Sequence, residues 1–271
     1  MTLLLDVGNS RLKWALLAPS TPRTLFAAQG AVELRRLRAH PAELTRLLMR
    51  AGSTAIHVCN VAGPELERQL RAAARSLGLQ APRFAHTAAA QAGVRNGYRE
   101  AWRLGVDRWL GMIGARRRHP GKNLCIVGVG TALTIDLLSA SGRHQGGCLI
   151  PGPQLMIDAL MAGTAGIARR AGGRRALRAP LRGLTASERS LFAADTRAGL
   201  RSGAHHACAA LIEQALRDGR SRLGRRPQLL LAGGASEVIA PLLTSPYYRE
   251  DDLVLRGLAV LALPPPHRPR L

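Results

Sequence analysis

Lysine, aromatic and acidic residues are all scarce in this chain of 271 residues. Lys13 and Lys122 are the two lysines among 39 basic residues, and the rest are arginines. Asp and Glu together number 17, which leaves a formal net charge of +22. A surplus of guanidinium groups points to phosphate-bearing partners, because the planar fork matches phosphate oxygens. The shortage of aromatics narrows that class. With three each of Phe, Tyr and Trp, the chain has few faces on which to stack unpaired bases. No helix-turn-helix, zinc-finger or RNP signature is present either, so nucleic acid is not an expected partner.

Cysteine is also sparse. Cys59, Cys125, Cys148 and Cys208 lack CxxC spacing, and the first three fall in apolar, strand-like runs. Buried reduced thiols are expected, rather than a zinc site or disulfides. Adjacent His205 and His206 point about 100° apart on a helix, so a shared metal is not expected; they read as helix-surface or interface residues. No apolar run reaches the roughly 18 residues that span a bilayer. Acidic Asp6 interrupts the short apolar start, which does not read as a signal peptide. The expectation is a soluble, reduced, cytoplasmic protein without a membrane partner.

What is present is enough apolar residue for a core: hydrophobic residues are 46% of the chain. Residues 2–7 read as a buried strand, followed by a Gly-Asn turn and a second strand at 12–18. A third strand is expected at 24–28. Helices are expected at 41–52 and 64–78, the latter with Pro at its first turn and Gly at its end, and a strand lies between them. Residues 93–109, GVRNGYREAWRLGVDRW, fit neither a clean strand nor a clean helix and read as a functional loop. HPGKN at 119–123 reads as a linker. Beyond it, strands are expected at 124–130, in TALTIDLLSA and in HQGGCLIPG. A helix follows at 153–167, then an exposed arginine-rich loop at 168–183. One or two helices are expected in 187–219, a strand at 228–234 and a helix after it, and residues 252–263 close with a short strand and a helix. The two parts, 1–118 and 119–271, therefore repeat an architecture without repeating a sequence.

Three glycine-bearing turns carry the chemistry. Asp6-Val7-Gly8-Asn9-Ser10 sits at a hairpin tip, where backbone N–H groups can hold phosphate and a carboxylate can hold Mg²⁺ through water. Taken alone it is equally an ordinary hairpin turn. Gly128-Val129-Gly130-Thr131-Ala132, with Asp136 after it, is strand, glycine turn, strand. It is not a dinucleotide fingerprint, which needs a helix next, nor a Walker loop, which needs GK[ST]. Leu231-Ala232-Gly233-Gly234 leads from strand to helix, a common way to bring backbone against a nucleotide.

Together these turns resemble the two phosphate loops and the adenosine loop of the acetate and sugar kinase, Hsp70 and actin superfamily. Within it, the chain resembles type III pantothenate kinases over essentially its whole length. The matching motifs are LLLDVGNSRLKWALL, GYREAWRLGVDRW, VGTALTIDLL, GGCLIPG, DTRAGLRSG and LAGG. The resemblance implies an α/β fold of two duplicated ribonuclease H-like (actin-like ATPase) domains with a nucleotide cleft between them. It implies ATP-dependent phosphorylation of pantothenate, with Asp107 as general base. Asp6, Val7, Gly8, Asn9, Ser10, Arg11, Leu12 and Lys13 would wrap the ATP phosphates, and Thr131 would bond them. Asp6 would also organise Mg²⁺ or its waters. Tyr98, Gly105, Val106, Asp107, Arg108 and Thr196 would bind the substrate. A homodimer is implied, with the Thr196 segment reaching the partner's substrate. The chain departs from the family where an aspartate helps hold potassium or ammonium, because that position is Gly128. A monovalent cation is then either missing or held by other groups. Some relatives of this family are known as transcriptional accessory factors, and the net charge suits that alternative.

Overall fold

The structure, a computed structural model, describes residues 2–18, 25–50, 55–173 and 184–263. By its packing the chain falls into two units. The first runs through Pro120 and takes up the chain again from Asp252; the second is Gly121–Asp251. The last helix thus belongs with the first unit, whereas the sequence groups it with 119–271.

In the first unit, β1 (Thr2–Val7) and β2 (Arg11–Leu17) form the expected hairpin, closed by the Gly8 N–H donating to the Arg11 carbonyl at 3.0 Å. β3 (Phe26–Glu33) follows, then α1 (Leu34–Ala39), α2 (Pro41–Arg50), β4 (Ala55–Asn60) and α3 (Pro64–Ser76). Short strands β5 (Arg83–Phe84), β6 (Ala90–Gln91) and β7 (Val94–Arg95) lead to α4 (Val106–Arg118). The main sheet has the order β3-β2-β1-β4-β5, antiparallel on the β2 side of β1 and parallel on the β4 side.

Alternation along the strands sorts side chains to two faces. Leu3, Leu5, Val7, Leu12, Ile56 and Val58 pack against leucines of α1, α2 and α3. Leu4, Ala15, Leu17 and Cys59 face the other way, against Leu110 of α4 and against α10 (Leu253–Ala262). The α4–α10 contact is backbone to backbone. A Cβ at Gly114 would overlap the Leu253 carbonyl, and one at Gly257 the Leu110 carbonyl.

The second unit opens with β8 (Leu124–Val129), β9 (Ala132–Leu138) and β10 (His144–Pro151), followed by α5 (Pro153–Gly163) and α6 (Ala165–Arg170). Then come α7 (Ala186–Arg189), α8 (Thr196–Leu223), β11 (Gln228–Ala232), α9 (Ser236–Ile239) and β12 (Tyr247–Arg249). Its sheet order is β10-β9-β8-β11-β12, again antiparallel then parallel about the first strand. In both units the first strand is central and the order is third, second, first, fourth, fifth, so the duplication is one of topology.

Several expectations shift. The third strand runs Phe26–Glu33, an edge strand with much of its length exposed, and α1 follows it directly. The helix expected at 153–167 breaks at Thr164. Residues 253–262 are wholly helical, because α10 is covered by α4 and β1 and can be apolar on most sides; the strand lies earlier, at Tyr247–Arg249. Cys148 is exposed on β10, whereas Cys59, Cys125 and Cys208 are buried. His205 is buried inside α8's packing face rather than on its surface. Of the arginine-rich segment, 168–170 closes α6 and 174–183 lies outside the described residues. No helix among the described residues is long and apolar enough to cross a membrane.

Candidate active site

Asp6 follows Leu4 on the α4-facing side of the core strand β1. It stands opposite Lys13 across the antiparallel ladder and opposite Cys59 across the parallel one. Burial pushes its carboxyl up to about 6, against the ordinary 3.8. Lys13 pulls the other way, Asp107 adds to the rise by like-charge repulsion, and the Cys59 thiol donates a hydrogen bond to the carboxylate. The structure thereby brings Asp6 and Asp107 into one electrostatic neighbourhood.

The rest of the first loop divides by orientation. The side chains of Val7 and Leu12 are fully buried in the core, so these residues can offer a ligand only their backbone. Asn9, Ser10 and Arg11 are exposed at the tip. The Leu34 N–H donates to the Ser10 carbonyl at 2.9 Å, which ties the tip to the start of α1.

Asp107 and Arg108 lie in the first turn of α4 rather than in a loop, with Gly105 at the N-cap and Val106 first in the helix. An acidic residue suits that end of the helix dipole. The Arg108 N–H donates to Asp107 Oδ1 at 2.8 Å, and a Cβ on Gly105 would come within 2.7 Å of that oxygen. Glycine at 105 therefore leaves the room the carboxylate occupies. Arg108 Nη1 donates to Tyr98 Oη at 3.0 Å, and the guanidinium carbon sits 5.6 Å from the Tyr98 ring centroid.

Asn96, which the sequence does not single out, holds this segment. Its Oδ1 accepts from the Tyr98 N–H at 2.9 Å, and its Nδ2 donates to the Ala101 carbonyl at 3.2 Å. The Asn-Gly pair before Tyr98 is the available signal, since asparagine bonds the backbone two residues on. Cys59 leaves no such signal, because parallel register is not written in local spacing.

In the second unit, Thr131 is exposed at the β8–β9 turn. Two other glycine-bearing segments close on this turn. The Gly152 N–H donates to the Thr131 carbonyl at 2.8 Å, and the Ala235 N–H to the Val129 carbonyl at 3.1 Å. Gly233, at φ +96°, passes so near the Val129 carbonyl that a side chain there would overlap it. The residues 130–131, 152 and 233 thus form one backbone-lined corner. Gly128 lies opposite Thr134 in the ladder and puts no carboxylate there. Asp136 is directed inside the sheet, where it pairs with buried His144 at 2.9 Å. Thr196 begins α8 beside a pocket of about 390 Å³, lined chiefly by apolar atoms of α5 and α8, including Met156, Leu160 and Leu200. Thr196 belongs to the second unit, and Tyr98 and Arg108 to the first.

A magnesium ion that arrives with a nucleotide needs one or two carboxylates, with phosphates and water supplying the remaining oxygens. Asp6, with Asp107 near it, fits that donor set. No group of three or more His, Cys, Asp or Glu arranged to hold a metal occurs among the described residues.

Comparison with known proteins places the chain. A model of the family described as type III pantothenate kinase matches residues 2–218. The type III pantothenate kinase of Burkholderia vietnamiensis is 39% identical over 262 residues, covering 96% of this chain and 95% of that relative. That of Nitrosococcus oceani is 35% identical over 268 residues, covering 97% and 94%. Among solved structures, a Baf-family transcriptional activator from Campylobacter jejuni superposes with TM-score 0.53 at 18% identity, covering 96% of this chain and 97% of that one. The ADPNP-bound activator of 2-hydroxyisocaproyl-CoA dehydratase from Clostridium difficile gives 0.52 at 12%, covering 96% and 93%. Likeness at such identity speaks to the fold alone, which is that of the actin-like ATPases and sugar kinases. By sequence match over nearly its full length, the chain belongs to the type III pantothenate kinase family.

Proposed function

We propose that the protein catalyses transfer of the γ-phosphoryl group of ATP to the 4′ hydroxyl of pantothenate, giving 4′-phosphopantothenate in the first step toward coenzyme A. The observation that carries this reading is the approach of Asp107 to Asp6 in a chain of this family. One carboxylate serves the phosphate side of the reaction and the other the alcohol.

Asp107 is the general base. As the substrate oxygen bonds to the γ-phosphorus and the bond to the ADP oxygen breaks, the hydroxyl proton passes to the Asp107 carboxylate, late in the transfer. Arg108, braced on Tyr98, receives the carboxylate of pantothenate. Gly105 and Val106 present backbone at the helix start. The tip residues Asn9, Ser10 and Arg11, with Lys13, hold phosphate oxygens, and Val7, Gly8 and Leu12 shape the loop through their backbone. Thr131, exposed at the β8–β9 turn, bonds phosphate through its hydroxyl. Asp6 holds Mg²⁺ or its waters; the bound ion supplies neutralisation of the phosphate charge. With glycine at 128, no monovalent-cation site is assigned to the second loop.

We also read the protein as a cytoplasmic homodimer. Leu191 and Phe192, exposed just before α8 and Thr196, support an interface there. The regulatory alternative has only an 18%-identical fold likeness behind it and is not adopted.

The test is direct. Purified protein is given Mg²⁺·ATP and a panel of alcohols, with ADP and phosphorylated product followed by mass spectrometry. Pantothenate-dependent turnover that is lost in Asp107→Asn is the expected result. No turnover with pantothenate removes the reading; full turnover in Asp107→Asn removes only the assigned base.

A further inference from the structure

Asp6 has a neighbour on each side, and the reading above uses only one of them. Lys13 on β2 supplies charge. On β4, Cys59 is fully buried, stands opposite Asp6 in the parallel register, and donates its S–H to the Asp6 carboxylate. Its place is fixed by Leu4, Ala15 and Leu110 packing on the same face. Of Cys59 and Asp6, only the thiol has a hydrogen to donate when the carboxylate is ionised. The two neighbours act differently. A lysine attracts a carboxylate from any direction, whereas a hydrogen bond occupies one of its roughly four lone-pair positions and selects a rotamer.

We propose that Cys59 is a positioning residue for the phosphoryl-transfer reaction: its thiol orients the Asp6 carboxylate so that the remaining oxygen lone pairs meet the cation that accompanies ATP. The proposal rests on the kinase reading for the role of Asp6. It concerns a group that never touches substrate and acts only through Asp6.

The comparison of two variants in the full chain tests it. Cys59→Ser keeps a donor in the same place, and Cys59→Ala removes the donor while suiting the apolar surroundings. Calorimetry measures ATP affinity with magnesium and with EDTA, and steady-state assays give the half-activating magnesium concentration and the KM for pantothenate. For Cys59→Ala we expect magnesium-dependent ATP affinity to weaken about tenfold, the scale found when a partner of a metal ligand is removed. ATP affinity in EDTA and the pantothenate KM should hold. Cys59→Ser should restore the magnesium-dependent affinity to within about twofold of wild type, although its hydroxyl lowers the thermal midpoint at least as much as alanine does. A purely structural thiol gives the reverse, with function following stability. Unchanged magnesium dependence in Cys59→Ala overturns the proposal, as does a Cys59→Ser variant as impaired as Cys59→Ala. Should wild type bind Mg²⁺·ATP but not turn over pantothenate, the kinase reading falls and the calorimetric comparison still decides the role of Cys59.

Discussion

Asp107, in the first turn of α4, raises the proton affinity of Asp6, at the end of β1, although most of the first unit's chain separates them. Two carboxylates that repel each other are held together by the packing of α4 on the sheet. Such an arrangement costs stability in the free protein, and a bound cation offsets it.

Asp6 should trade stability against activity. Its folded pKa of about 6 lies above the ordinary 3.8, so the folded state keeps a proton that the unfolded chain has already lost. This group's contribution therefore favours folding at pH 4 and is lost as pH rises through 6. Asp6→Asn should raise stability at pH 8 by about 1–2 kcal/mol, lessen that part of the pH dependence, and reduce turnover at least about a hundredfold. Denaturant titrations at pH 5 and 8, with assays on the same samples, check all three. In wild type, turnover should fall as pH drops below about 6, since the ionised form holds the cation.

Arg108 should act on substrate binding. Arg108→Lys loses the fork and the Tyr98 contact, and the KM for pantothenate should rise about tenfold while that for ATP stays. Tyr98→Phe should move the same constant less. Steady-state kinetics with each substrate varied will distinguish this from a general loss.

Gly257 should resist substitution. A Cβ there meets the Leu110 carbonyl of α4, so Gly257→Ala should destabilise by about 2–3 kcal/mol despite the higher helix propensity of alanine. Urea unfolding measures it, and activity should fall too, because the displaced helix carries Asp107.

His205 should make the protein acid-sensitive. It is buried on α8, and its pKa falls from 6.5 to about 4, first through burial and then through the positive charges of Arg201 and His206, with Glu188 opposing. The unfolded chain takes up a proton near pH 6.5 that the folded one refuses. Stability from this group is complete above pH 6.5 and is lost as pH falls toward 4, on the order of 1–2 kcal/mol. A His205→Leu variant should lack that slope. Asp6 contributes a slope of opposite sign, so the two variants separate the effects.

Ala92 should be improvable. The β6–β7 hairpin turns through Ala92 and Gly93 at φ +49° and +78°, and both positions favour glycine or asparagine. Ala92→Asn should stabilise by about 0.5–1 kcal/mol without touching activity, as thermal unfolding will show.

Much of this is legible in the sequence. The β1–β2 and β8–β9 hairpins follow from apolar runs around glycine turns, and α3 from its proline entry and glycine exit, because such signals act over a few residues. Elements that depend on their surroundings were harder. The edge strand β3 carries small and polar residues and ends at Glu33, not at 28. The apolar run of α10 lacks a polar stripe because α4 and β1 cover it. Asp107 and Arg108, amid glycines and aromatics, look like loop residues, and only packing on the sheet makes their turn helical.

The sequence by itself determined the chemical inventory: which turns carry glycine, which strands end in a carboxylate, and which family the motifs resemble. Tertiary structure decided what those groups meet. That Cys59 rather than its neighbours stands beside Asp6 is a matter of parallel register between strands nearly fifty residues apart. That Asp107 reaches the same carboxylate is a matter of which face α4 covers. Alternation and turn chemistry are local and can be read along the chain, whereas register and helix placement are set by the core that all the elements build together.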